Sequence, residues 1–292
     1  MTKENKGKVQ KKLVPLNDHA FKRSFGEVGC EEQLIIIING LTERTGEEAV
    51  NQIEIKERKI PRELYDDKEV ELDIFAITDK GEQFDIESQL KNVEMDSRTM
   101  YYALRVLSKS VKKGQNYDLM KNVVVITIFG SRTEKEREKY EGFLNYKKSD
   151  EYIERYEFDM ERFDSLKDKD INNPQHRCLM FLSEKTTPKM RKKVIKMEPK
   201  LEKAQKIMDY INSSPEEIEL YEMRERVRMD IKNARKRDMQ EGKELGLEKG
   251  KEEKAIEIVV KLIKENMPIK TISKITEISI EKIQKLKKEQ EK

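Results

Sequence analysis

The stretch Glu71-Leu72-Asp73-Ile74-Phe75-Ala76-Ile77, a short polar turn over Thr78 to Gly81, and then Gln83-Phe84-Asp85-Ile86-Glu87-Ser88-Gln89-Leu90 decide how this chain is read. Asp79-Lys80-Gly81 is a hairpin-loop signal between two alternating runs. Side chains two apart on a strand share a face, so Phe84, Ile86 and Leu90 point one way and Asp85, Glu87 and Gln89 the other. Asp73 lies on the neighbouring strand, across the hairpin. Two carboxylates and an amide that converge near a bend make a cradle of oxygen ligands for a hard divalent cation. Such a cation acts on phosphodiesters. The competing reading is a solvated polar face, which a chain with 41% charged residues produces readily by chance.

Working outward, Pro15-Leu16-Asn17-Asp18 opens a short helix with Asp18 as its expected N-cap, Phe21 and Phe25 on one face, and Gly26 at its end. A second helix is expected from Glu31 to Leu41, with Leu34, Ile37, Ile38 and Leu41 on one side, and a strand within Val50 to Lys59. Beyond the hairpin, Asp96 or Ser97 caps a helix through Lys113, with Gly114 where a C-cap glycine belongs. Val123 to Phe129 is so apolar and β-branched that it reads as a strand buried on both faces and parallel to its neighbour. Strand, helix and strand then form one right-handed crossover, and the order is αβββαβ. A further strand is expected near Tyr152 to Phe158.

After about residue 165 the strand signals stop. The expected division is a disordered basic tail over residues 1–13, an α/β core over 14–165, a charged helical extension over 166–253 and a small helical unit over 254–292. The extension contains a basic cluster, Pro188 to Lys196. It also contains Gly242, Gly246 and Gly250, read as a flexible hinge in preference to a site of close helix approach. In the last unit, helices around Ile272 and Ile283 flank a break at Glu277 to Ser279. That pattern suits helix-turn-helix geometry or a self-association module equally.

Composition narrows the function classes. Hydrophobic residues make up 36% of the 292, Trp is absent, and the net charge is only +3, so nucleic-acid contact must rest on local patches. Cys30 and Cys178 have no zinc or disulfide spacing and suit a reducing cytosol, which gives a cytoplasmic expectation. His19 and His176 are the only histidines, which argues against a His-based triad or a multi-His metal site. Met1 to Lys12 has no apolar segment of a signal peptide, and the Ile35 to Ile38 run is far short of a membrane span.

The residues quoted so far, together with Asp18-His-Ala-Phe21-Lys22-Arg-Ser-Phe25-Gly26, Arg98 with Tyr101 and Tyr102, and Gly114 with Tyr117, resemble the Rpn-type recombination-promoting nucleases. These are also described as transposases and belong to the wider PD-(D/E)XK nuclease superfamily. The resemblance implies a restriction-endonuclease-like αβββαβ core followed by an all-helical C-terminal region. It implies a DNA endonuclease that hydrolyses phosphodiester bonds with Mg²⁺ or Mn²⁺, held by Asp73 and Glu87, with Gln89 as a third catalytic residue. Gln89 stands where most of the superfamily carries Lys, although Rpn-type sequences commonly show Gln. A Gln supplies no positive charge, so slow or tightly regulated cleavage is expected. Lys22 and Arg98 would neutralise neighbouring DNA phosphates.

The expected partner is DNA, with no membrane. Pairing of two copies through the long charged helix is left open, because no sustained heptad marks a coiled coil. Two alternatives stand beside this reading. One is a catalytically inactive nuclease-like module that binds DNA or protein. The other is a transposase with three acids on a ribonuclease-H-like fold, for which no third acid stands out.

Overall fold

A computed structural model of the chain describes residues 12–60, 70–90, 96–111, 114–130, 142–149 and 152–290. Apart from Lys12 and Leu13, the expected basic tail lies outside them. Leu13 itself is buried, and its backbone exchanges hydrogen bonds with the Asn212 side chain at 2.6 and 3.0 Å.

The first two helices are α1 (Asp18–Phe25) and α2 (Glu31–Thr42). The N-cap of α1 is Asn17, not Asp18: the Asn17 side chain accepts from the backbone N–H groups of His19 and Ala20. Asp18 is thereby freed for an ion pair one turn on, with Lys22.

Six strands form one sheet: β1 (Ile53–Ile55), β4 (Ile74–Thr78), β5 (Gln83–Gln89), β6 (Val123–Phe129), β7 (Leu144–Ser149) and β8 (Ile153–Asp159), in the spatial order β1-β4-β5-β6-β8-β7. A separate two-stranded ribbon pairs β2 (Lys59–Ile60) with β3 (Val70–Glu71). The hairpin forms as its sequence dictates, with Ile74 opposite Ile86 and Phe75 opposite Asp85, and Gly81 supplies the positive φ of 83° in the turn. Helix α3 (Asp96–Ser108) connects β5 to β6, which run parallel with Glu87 beside Thr127. The αβββαβ order is therefore present, within a larger mixed sheet.

Two expectations shift here. Helix α3 ends at Ser108 rather than Lys113. The Ser108 and Ser110 hydroxyls donate to the carbonyls of Arg105 and Leu107, offering the backbone an alternative to another helical turn. Strand β7, Leu-Asn-Tyr-Lys-Lys-Ser, gave no strand signal. It is an edge strand, where polar and lysine-rich sequence protects an open side.

Both faces of the sheet are covered. Even-numbered residues of β5 and β6 (Phe84, Ile86, Val124, Ile126, Ile128) pack against Phe21, Phe25, Leu34 and Ile37 of α1 and α2. Odd-numbered Val123 and Val125 pack with Ile153 of β8 against Ala103 and Val106 of α3. Helices α4 (Met160–Ser165), α5 (Pro174–Leu182), α6 (Pro188–Met197) and α7 (Leu201–Ser213) join the first of these cores through Phe163, Phe181, Val194 and Ala204. They belong to one compact unit with the sheet, and the chain divides between Glu219 and Leu220.

That division falls inside α8 (Pro215–Lys264), which runs unbroken through Gly242, Gly246 and Gly250. No break in the helix marks the position of the expected hinge. Each glycine costs roughly 1 kcal/mol against Ala, but the Glu, Lys and Leu residues between them are strong helix formers. Among the described residues no other helix comes close: a Cβ at any of the three would meet nothing within 4 Å. In the second unit, Val259, Ile272 and Ile283 bring together the end of α8, α9 (Ile269–Thr276) and α10 (Ile280–Gln290). Glu277 turns the chain between α9 and α10 at a φ of 57°.

Among the described glycines, Gly40 leaves the least room for a Cβ. A Cβ there would lie 2.2 Å from Cys178 Sγ and 3.1 Å from the Pro174 carbonyl, so α2 and α5 meet only because Gly40 has no side chain. Gly40→Ala should therefore cost about 1–3 kcal/mol of stability, read from the midpoint of a urea transition at unchanged slope.

Candidate active site

The hairpin places Asp73 just before β4 and Glu87 near the end of β5, on facing positions of neighbouring strands. They lock reciprocally. The Asp73 backbone N–H donates to Glu87 Oε1 at 3.2 Å, and the Ser88 backbone N–H donates to Asp73 Oδ2 at 3.0 Å. Gln89 Nε2 donates to Glu87 Oε2 at 3.1 Å, which leaves its amide oxygen as an acceptor. Asp73, Glu87 and Gln89, the three residues singled out in the sequence, thus meet in space.

Lys22 enters from α1. Its Nζ sits 2.8 Å from Asp73 Oδ1 and 2.7 Å from Asp18 Oδ1. Arg98 stands in the first turns of α3, where its Nε donates to Tyr102 Oη at 2.9 Å and its guanidinium covers the Tyr102 ring at 5.0 Å. Arg98 forms no direct bond to the acids, yet its charge lowers the proton affinity of Glu87 and Asp85.

Asp85 is a member of this face that the sequence gave no role. It is 0% exposed, and among the described residues neither of its oxygens has a hydrogen-bond partner. Its signal was its spacing, two residues before Glu87 on the same strand face.

Burial governs the electrostatics. Asp73 is 9% exposed and Glu87 1%. Removal from water raises the Glu87 carboxyl to about 7, and the nearby Asp73 charge adds to the rise. Burial also raises Asp73, against the pull of the Lys22 ammonium. Asp85 is pushed well above the carboxylate range by burial and by Glu87. For Lys22, burial works toward loss of the proton, but Asp73 and Asp18 together outweigh it and hold the ammonium charged.

This donor set suits a hard cation. The carboxylates offer oxygen ligands, and among the described residues three buried carboxyls share one face with the cationic Lys22 and Arg98 beside them. Among the described residues no three His, Cys, Asp or Glu side chains gather in metal-holding geometry. The protein would therefore offer Asp73 and Glu87, with water and substrate oxygens completing the shell, as Mg²⁺ prefers.

A family model described as PD-(D/E)XK nuclease family transposase matches residues 15–238. The chain belongs to this family. The PD-(D/E)XK match takes in the whole sheet and helices α1 to α7, so the family supports a nuclease or transposase type of function for this unit. Neither the curated proteins nor the solved structures contain a match to the chain.

The raised Glu87 carboxyl has a measurable consequence for this PD-(D/E)XK member. Between about 4.5 and about 7, the folded protein keeps a proton that the unfolded chain has released. Stability of the metal-free protein should then fall as pH rises through that window, by up to about 3 kcal/mol. Glu87→Gln should match the wild type near the acid end, exceed it above the window, and flatten the profile, as measured by urea midpoints in a chelator.

Proposed function

We propose that the chain is a metal-dependent DNA endonuclease that hydrolyses phosphodiester bonds, with Mg²⁺ or Mn²⁺ held by Asp73 and Glu87. The observation that carries the reading is the reciprocal lock of these two buried carboxylates beside the Lys22 ammonium.

A divalent ion held there would supply Lewis-acid polarisation of the scissile phosphate and activation of the attacking water. The chain's own residues do the rest. The amide of Gln89 steadies Glu87 through one end and offers its oxygen to orient the water. Gln89 brings no charge, and Lys22 supplies it from a different element, α1, against the negative charge that builds on the phosphorus oxygens. Arg98, braced on Tyr102, neutralises a neighbouring phosphate.

Among the described residues no helix is long and apolar enough to cross a membrane. Cys30 and Cys178 are free thiols, which supports a reducing, cytoplasmic setting. A second copy of the chain is the proposed partner for α8, whose Met223, Val227 and Ile231 stay exposed at one-turn spacing.

A second reading has its own support. Lys22 and Gln89 satisfy both acids without any ion, as in a nuclease core turned into a binding module.

Cleavage of plasmid DNA separates the two. The proposal expects nicking that requires Mg²⁺ or Mn²⁺ and falls at least about 100-fold in Asp73→Asn and Glu87→Gln, with Lys22→Met losing roughly 10- to 100-fold in turnover. Metal-independent binding with no nicking would establish the binding module, and undiminished cleavage in both acid variants would reject the site.

A further inference from the structure

Helix α6, Pro188–Met197, is built unlike the rest of the chain. Thr187 caps it by accepting from the Met190 N–H, and Pro188 occupies its first turn. Val194 anchors it in the core, with Met190 and Ile195 packed alongside. The opposite face carries Lys189, Lys192, Lys193 and Lys196, spaced i, i+3, i+4 and i+7, so their side chains form one stripe. All four are exposed, and among the described residues none forms an ion pair.

Over most of the chain from residue 14 onward, lysines and arginines are interleaved with acids. Residues 185–206 hold nine Lys and Arg against two Glu, a net of +7, whereas the whole chain carries +3. The remainder therefore sums to −4, although it includes the basic stretch over residues 1–12.

We propose that α6 is a DNA-backbone track, a second contact surface for duplex DNA apart from the Asp73–Glu87 site and lying in the same compact unit. The inference rests on the nuclease reading for its partner. The chemistry selects the ligand class. Lysine ammoniums are point charges on long, flexible stems, suited to phosphate oxygens, and contacts to phosphates carry no base sequence. The anchoring apolar residues of α6 are used up in the core, and only Met197 among its large apolar side chains is exposed, at 43%. No apolar face is left to enter a lipid bilayer. The function is retention: the track holds the duplex while the catalytic face finds a phosphate.

The test compares wild type with the Lys189→Gln/Lys192→Gln/Lys193→Gln/Lys196→Gln variant, since Gln keeps helix propensity and removes charge. Binding of a labelled duplex of about 40 base pairs is followed by anisotropy in a chelator across a salt series, and each lost phosphate contact should reduce the log–log salt slope by about 0.9. The expected result is a slope lower by about 3.6 and an affinity at least about tenfold weaker at 0.1 M salt, with unchanged thermal unfolding. An unchanged slope and affinity in the quadruple variant overturns the track, whether or not the protein cuts DNA. Loss of binding to anionic phosphatidylserine vesicles with DNA binding intact also overturns it, in favour of a membrane surface. Weakened binding in the quadruple variant, alongside cleavage undiminished in Asp73→Asn and Glu87→Gln, supports the track and removes the proposed catalytic site.

Discussion

The reciprocal bonding between Asp73 and Glu87 is the constraint around which the first unit is arranged. Each carboxylate accepts a backbone N–H from the opposing strand, so neither turns away without breaking the end of the β4–β5 pairing. Burying two like charges side by side is costly, and the surroundings show how the cost is met. Lys22 arrives from a helix packed on the other face of the hairpin, Arg98 stands nearby on α3, and Glu87 rises into the neutral range. The apolar layers on both sides of the sheet fix these helices, and thereby fix the positions of the cations relative to the acids.

The position of Lys22 shows how a motif is redistributed in space. On strand β5 the residue two beyond Glu87 is Gln89, which brings hydrogen bonding without charge. The ammonium comes instead from α1, where Lys22 pairs with Asp73, the acid facing Glu87 across the hairpin. An amphipathic helix held by Phe21 and Phe25 in the core can deliver a side chain to the sheet as accurately as a strand residue can. The Asp18 carboxylate on the preceding turn then fixes the lysine stem between two anions.

Much of this was legible in the sequence, because the period-two alternation of β5 and the continuous β-branched run of β6 leave few arrangements for a strand–helix–strand unit. The meeting of Asp73, Glu87 and Gln89 followed from the hairpin register. What escaped depended on tertiary context. Asp85 reads as one more acid in a charged chain until burial leaves its oxygens without partners among the described residues. Strand β7 has an edge strand's polar composition and is fixed only by its pairing with β8. Asn17 and Asp18 are both good caps, and the winner was decided by which side chain turned toward the free N–H groups. The glycines of α8 weaken a helix by local rules, yet the run of good helix formers around them prevails.

The contact at Gly40 also determines what the thiols can report. Cys178 Sγ fills the space above that glycine, donates toward the Ile36 carbonyl at 3.4 Å, and has its proton affinity raised by burial to about 12. Cys30 is likewise buried and raised. Neither presents a thiolate to an alkylating reagent while the fold is closed. Labelling of Cys178 is thus a clock for the parting of α2 and α5, counting excursions of the core that leave the sheet's own spectroscopic signal untouched.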